Sequence, residues 1–251
     1  MRFILGIVSY LWKFYIGVLF LLMLLLFYPL LVFFIYTPKL KHLTFSVNVF
    51  WSRIMRIVCF YALEVKDSSG KIETPYILCA NHTSYLDIFF MYSILPKNKF
   101  LFMGKSEILS YPLLKTFFKN LNIPVYRENR LKAAKSFIQA RNEIAKGWSI
   151  IIFPEGGIPE TTPYLMEFKD GAFKLAKSAK VGILPLTFQN NYHLFSDPED
   201  LLGFAHPGLA QVTIHPFITK EKVELLTEKE LNTKTFQAIN SVLPQEVTNI
   251  A

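Results

Sequence analysis

The chain has 251 residues, of which 52% are hydrophobic and 16% aromatic, and its formal net charge is +8. That length suits one domain with an appendage, and the excess of apolar side chains, with Phe used 24 times, points to a lipid surface. The scattered lysines and arginines suit anionic headgroups; no nucleic-acid-binding fingerprint accompanies them, so a nucleic-acid partner is not expected.

In chain order, residues 14–36 carry no charge and are bracketed by Lys13 and Lys39. At about 1.5 Å per residue the run is long enough to cross a bilayer core of about 30 Å. Pro29 lies inside it and is expected to kink or break the helix, so two shorter helices dipping into one leaflet are the alternative to a single span. Arg2 and Lys13 precede the run, whereas Lys39, Lys41, Arg53 and Arg56 follow it. This asymmetry favours a main domain on the cytoplasmic side, at the cell inner membrane. Leu43–Tyr61 has aromatic and aliphatic residues at near-helical spacing and suits either an interfacial helix or a core-packed one. Residues 1–61 therefore read as a membrane anchor with an interfacial helix, and residues 62–251 as the main domain.

Asp67–Gly70 reads as a turn between strands Leu63–Lys66 and Tyr76–Ala80. After the second strand comes Asn81-His82-Thr83-Ser84-Tyr85-Leu86-Asp87, with Thr83 or Ser84 able to cap a following helix. A compact strand-to-helix turn brings the Asp87 carboxylate back to the His82 imidazole. That is the arrangement of a general base, in which the carboxylate fixes the tautomer and stabilises the imidazolium as it forms. The competing reading is a helix-capping polar cluster.

Phe100–Met103 reads as a strand with Lys105 just past its end, where α/β folds place ligand-contacting residues. An apolar helix is expected over Ile108–Leu121, then a short strand Ile123–Arg127. An amphipathic helix over Leu131–Lys146 is expected to face inward through Ala134, Phe137, Ile138 and Ile144. Ser149–Phe153 reads as a buried strand stopped by Pro154-Glu155-Gly156-Gly157, whose glycines let the backbone approach a ligand and offer free amide donors. A basic helix over Leu165–Lys180, a strand Ile183–Phe188 broken at Pro185, a strand Gln211–Ile218 and a helix Leu226–Val242 opening on Thr227-x-x-Glu230 complete the chain. Cys59 and Cys79 sit in apolar company without a C-x-x-C or a His/Cys cluster, which predicts reduced, buried thiols and no metal. His193, His206 and His215 have no partner that the sequence names.

Four segments in order, Asn81-His82-x-x-x-x-Asp87, Ile123-Pro-Val-Tyr-Arg127, Phe153-Pro-Glu-Gly156 and Leu184-Pro-Leu186, together with Phe168-Lys-Asp-Gly-Ala-Phe173, resemble the signature blocks of the glycerolipid (lysophospholipid) acyltransferase family, whose type member is 1-acylglycerol-3-phosphate acyltransferase. The resemblance covers roughly residues 76–190. It implies an α/β fold, a mixed sheet flanked by helices, behind the N-terminal membrane-embedded helical segment. It also implies transfer of a fatty acyl group from a thioester, acyl-coenzyme A or acyl carrier protein, to the hydroxyl of 1-acylglycerol-3-phosphate. No cofactor is implied beyond that co-substrate. His82 and Asp87 become the catalytic pair. Asn81, Lys105, Arg127, Glu155, Gly156 and Gly157 become substrate-binding, with Arg127 on the acceptor phosphate and Glu155 positioning the substrate. The oxyanion is assigned to backbone amides near Gly156–Gly157 or at the Asn81 turn.

One departure matters. Family members commonly continue Phe-Pro-Glu-Gly-Thr-Arg-Ser, whereas here Gly157, Ile158 and Pro159 follow Gly156, so an Arg that would add a second phosphate contact is missing. Two other readings stay open: an acyltransferase for another lysolipid or an aminolipid, and a non-catalytic lipid-binding membrane protein, against which the His82/Asp87 pair argues.

Overall fold

The computed structural model describes residues 2–196 and 200–245. In chain order the strands are β1 (Tyr61–Asp67), β2 (Tyr76–Ala80), β3 (Phe100–Lys105), β4 (Ile123–Val125), β5 (Ser149–Ile152), β6 (Gly182–Phe188) and β7 (Gly208–Ile214). They form one mixed sheet in the order β1-β7-β6-β2-β5-β3-β4. Every neighbouring pair is parallel except β6 with β7. The C-terminal ends of β2, β3, β4 and β5 therefore open on one edge, where loops of an α/β sheet bind ligands.

The helices are α1 (Arg2–Tyr36), α2 (Leu43–Val58), α3 (Leu86–Ile94), α4 (Pro112–Leu121), α5 (Arg130–Ala145), α6 (Gly171–Ala179), α7 (Asn191–Leu194), α8 (Lys220–Leu225) and α9 (Glu228–Asn240). The period-2 alternation of the strands divides the core into two layers. Tyr76, Leu78 and Ala80 of β2 face a cluster containing residues of α1, α2 and α3. Ile77 and Cys79 face the opposite cluster, built with α5, α6, α8 and α9. All five β2 residues are buried, so this strand is covered on both faces, as its unbroken apolar run requires.

The N-terminal segment is one helix, unbroken at Pro29. Pro29 is exposed, so its ring points away from the protein. The helix does not stand apart from the domain. Trp12 Nε1 donates to Tyr61 Oη (3.3 Å), Phe20 stacks on Trp51 and meets Phe89 edge-on, and Tyr28 meets Phe117. Its other face exposes Leu11, Phe14, Leu22, Leu25, Leu26 and Phe33. The helix has the length and composition to cross a membrane, and only 17% of its most apolar window is buried. α2 packs inward: Phe45, Val49, Trp51 and Met55 are buried and belong to the same cluster as β2. A boundary at residue 61 thus cuts through a shared core.

The expected turn between β1 and β2 is present, closed by Asp67 Oδ1, which accepts from Ser69 N (2.9 Å) and Ser69 Oγ (2.6 Å); in the sheet β7 and β6 lie between the two strands. Several other local expectations are corrected. The helix expected from Ile108 is split into a 3₁₀ turn, Ser106–Ser110, and α4, because Pro112 has no N–H to continue the first and suits the start of the second. α5 turns Ser136, Ala140 and Ile144 inward and leaves Ile138 and Ala134 exposed. Ser136 Oγ, which donates to the Pro124 carbonyl, sets that rotation. Pro185 does not break β6; it pairs in register with Cys79, and its carbonyl accepts from His215 N. Cys59 and Cys79 are buried free thiols, pushed by burial up to about 11 and about 12. α9 opens on the Thr227/Glu230 capping box.

Candidate active site

The loop after β2 carries the titratable groups. His82 Nδ1 lies 2.9 Å from Asp87 Oδ2. Asp87 is fully buried and accepts on all sides: Oδ2 from the backbone N–H groups of Thr83 (2.6 Å) and Ser84 (3.0 Å), Oδ1 from Asn191 Nδ2 (2.7 Å). The carboxylate, rather than a Thr83 or Ser84 hydroxyl, therefore organises most of the turn into α3; Ser84 Oγ accepts only from Leu86 N (3.2 Å). Surrounded by donors, Asp87 takes Nδ1–H as one more, which leaves His82 Nε2 as the basic nitrogen. Nε2 has no hydrogen bond within the described residues. The ring is stacked on Phe153, with centroids 4.1 Å apart and planes at 17°, and its side chain keeps 14% exposure. The imidazole is thus held on one nitrogen and one face while the other nitrogen stays open.

Asn81 and Glu155 do other work than their expected substrate contacts. Asn81 is wholly buried; its Nδ2 donates to the Phe188 carbonyl (2.9 Å) and its Oδ1 accepts from Phe188 N (2.8 Å). Both polar atoms of its amide are used to tie the end of β2 to the end of β6, so it does not face a ligand. Glu155 is 2% exposed. Its Oε1 accepts from His82 N (2.9 Å) and its Oε2 from Met166 N (3.0 Å). One carboxylate thereby staples the β5 loop to the His82 turn and to the segment before α6. Burial pushes its pKa up to about 7, against the two backbone donors that lower it.

Arg127, Lys105, Gly156 and Gly157 meet on the open edge. Arg127 lies two residues past β4 and its Nη2 donates to the Gly156 carbonyl (2.6 Å). Gly156 has φ +87°, in the region that favours glycine. A methyl group on Gly157 would sit 3.0 Å from Lys105 Nζ. Lys105 is the last residue of β3. These residues come from the ends of three parallel strands, β3, β4 and β5, which the sheet order brings together.

Sequence reasoning missed Asn191, the first residue of α7, 104 positions from the Asp87 it contacts. An Asn in the polar run Gln189-Asn190-Asn191 after a strand gives no signal for such a contact. It also placed Lys169 inside a helix, whereas α6 begins at Gly171 and Lys169 lies in the preceding loop, held by Lys169 N donating to the Pro154 carbonyl.

A His–Asp site at the open edge of a mixed sheet defines an α/β protein with a preorganised base. The acyltransferase family model matches residues 59–189, and the chain belongs to the acyltransferase family. Among curated relatives, the 1-acyl-sn-glycerol-3-phosphate acyltransferase of Saccharomyces cerevisiae is 30% identical over 185 residues, 70% of this chain and 59% of the relative. The chloroplastic 1-acyl-sn-glycerol-3-phosphate acyltransferase BAT2 of Brassica napus is 27% identical over 210 residues, 82% of this chain and 58% of the relative. The chain spans about half the length of the curated relatives it matches. The crystal structure of the 1-acyl-sn-glycerophosphate (LPA) acyltransferase PlsC from Thermotoga maritima shares the fold, with a TM-score of 0.74 at 21% identity, covering 96% of this chain and 95% of that one.

Proposed function

We propose that the protein transfers a fatty acyl group from a thioester to the free hydroxyl of 1-acylglycerol-3-phosphate, making phosphatidic acid. The observation that carries this reading is the His82–Asp87 pair with Nε2 open, one loop away from a cationic edge. His82 Nε2 takes the proton of the acceptor hydroxyl as its oxygen attacks the thioester carbonyl, and Asp87 holds the imidazolium that forms. Collapse of the tetrahedral intermediate breaks the C–S bond and expels the thiolate, which takes the proton from His82 and leaves as the thiol. A thioester is already activated, so no acyl-enzyme is needed. Arg127 and Lys105 receive the acceptor's phosphate; a guanidinium that spends one N–H on Gly156 keeps others for a phosphate oxygen.

The membrane holds the apolar substrates. α1 touches the domain along its middle, through Trp12, Phe20 and Tyr28. This supports a helix that lies against the domain and buries its outer face in one leaflet, in place of a free span. Anionic lipid then attracts the basic chain.

The test is the purified full chain in mixed micelles with a panel of lysolipids and aminolipids, offered acyl-coenzyme A and acyl-acyl carrier protein in turn, with products read by mass spectrometry. The expected product is phosphatidic acid from 1-acylglycerol-3-phosphate, absent with His82→Ala. Transfer to none of the acceptors from either donor overturns the reading.

A further inference from the structure

The loop Gly156–Gly157 is surrounded by three cations. A methyl group on Gly156 would lie 2.8 Å from Lys169 Nζ and 3.0 Å from Arg127 Nη2, and one on Gly157 would lie 3.0 Å from Lys105 Nζ. Lys169 and Arg127 thus reach within 3.0 Å of a single point, and the glycine hydrogens are what leave room for them. Three like charges gathered on two residues repel one another, and a protein normally answers with a carboxylate. Among the described residues none pairs with these cations. The ion pairs among the described residues lie elsewhere, at His82–Asp87, Lys146–Glu143, Lys174–Asp170 and Lys220–Glu221. Lys105 and Lys169 spend their ammonium groups on no protein acceptor among those residues, and Arg127 spends one N–H on the Gly156 carbonyl. The repulsion is relieved when an anion enters.

We propose that Lys169 is the third cation of the acceptor-phosphate cradle, standing in for the arginine that Ile158 displaces, and that it tunes the site to a phosphate monoester. The inference rests on the reading of the protein as a lysophospholipid acyltransferase. Lys169 can do this because its backbone is fixed: Lys169 N donates to the Pro154 carbonyl (3.0 Å) and Phe168 beside it is buried. The side chain therefore leaves a point tied to the same turn that presents Gly156. A monoester carries close to two negative charges at neutral pH and three terminal oxygens. A phosphodiester such as glycerophosphocholine carries one charge and two free oxygens. Three converging cations match the first better than the second, so Lys169 separates the two acceptor classes.

The experiment measures steady-state kinetics of the full chain with 1-acylglycerol-3-phosphate and 1-acylglycerophosphocholine at saturating donor. The variants are Lys169→Gln, Lys169→Arg and, as a control on α6 facing Asp170, Lys174→Gln. Lys169→Gln should raise the monoester KM about ten- to a hundredfold with kcat changed only severalfold, and should shrink the preference for monoester over diester. Lys169→Arg should restore most of both, and Lys174→Gln should match the parent. An unchanged monoester KM in Lys169→Gln, with an active parent, overturns the assignment. Titration calorimetry of glycerol-3-phosphate reads the cradle without turnover: weaker binding by Lys169→Gln than by the parent supports it, and equal binding overturns it. An inactive parent that still binds glycerol-3-phosphate through Lys169 would instead count against the acyl-transfer reading alone.

Discussion

Asn191 donates from Nδ2 to Asp87 Oδ1 across 2.7 Å, coupling the segment after β6 to the His82–Asp87 turn after β2. Both residues are fully buried, and Asn191 Oδ1 has no hydrogen-bond partner among the described residues. A buried polar atom left unpaired is costly, so the amide is held here for its donor. Asn191→Ala should lower kcat about tenfold and leave both KM values near the parent, because the residue acts through Asp87 and touches no substrate. Asn191→Asp should be worse, since it sets a second carboxylate against Asp87. Equal kcat in Asn191→Ala and the parent would remove Asn191 from the site.

His82→Ala and Asp87→Asn should both abolish transfer, by about 10²–10⁴-fold for the base, but they should separate in stability. His82 keeps 14% side-chain exposure and its loss leaves the turn intact, whereas an amide at position 87 has one acceptor oxygen where the carboxylate has two, so either the N–H groups of Thr83 and Ser84 or the Asn191 amide lose their acceptor. Thermal unfolding in detergent should leave the His82 variant within a degree or two of the parent and lower the Asp87 variant clearly. Equal unfolding midpoints would contradict the carboxylate's part in building the turn.

Glu155 makes a signed pH prediction. Burial raises its pKa from 4.5 to about 7 in the folded protein. The unfolded chain therefore ionises first as pH rises, and the group's contribution to stability, full below 4.5, is lost on the way to 7. At about 1.4 kcal/mol per pKa unit this amounts to roughly 3 kcal/mol. Stability of the parent relative to Glu155→Gln should fall between pH 4.5 and 8. A difference that stays flat across that range would show that Glu155 titrates normally.

His215 runs the other way. The Thr187 hydroxyl donates to the Ile239 carbonyl (3.0 Å), so it accepts from His215 Nε2 (2.8 Å), and the buried ring is neutral, its pKa lowered by burial to about 4. Its contribution is complete above the ordinary value near 6.5 and is lost as pH falls toward 4. Between pH 7.5 and 4.5 the parent should lose stability relative to His215→Gln. An unchanged gap on acidification would put the ring in contact with water.

Deleting residues 1–37 should do more than release the domain from membranes. α1 covers Trp51 and Phe89 with Phe20 and Phe27, and removing it exposes that aromatic face to water. The truncated chain should aggregate or unfold at markedly lower temperature, as checked by light scattering and thermal unfolding in detergent. A truncated form as stable as the parent would make α1 a detachable anchor.

Much of this was legible locally. The five-residue apolar run Tyr76–Ala80 is a strand buried on both faces, and Thr227 and Glu230 cap α9, because such features depend on neighbours a few residues apart. The spacing of His82 and Asp87 already allowed their contact, since five residues suffice for a turn. Element edges are less legible: the sequence pattern carries Lys169 into a helix that starts at Gly171, and it points Ala134 and Ile138 inward on a helix that turns them out. Apolar spacing names a stripe but not the rotation that Ser136 and its bond to Pro124 impose.

The residue types at the strand ends, and their order, can be read along the chain. What they touch depends on how the sheet assembles. Parallel pairing of β2, β5, β3 and β4 brings four distant loops to one edge, and that pairing depends on long-range strand order. There Asn81 turns to Phe188, Glu155 to the His82 backbone, Asn191 to Asp87 and Lys169 to Gly156. Local propensity reaches one or two turns along the chain, while a hydrogen bond across 104 residues exists only once the sheet has closed the distance.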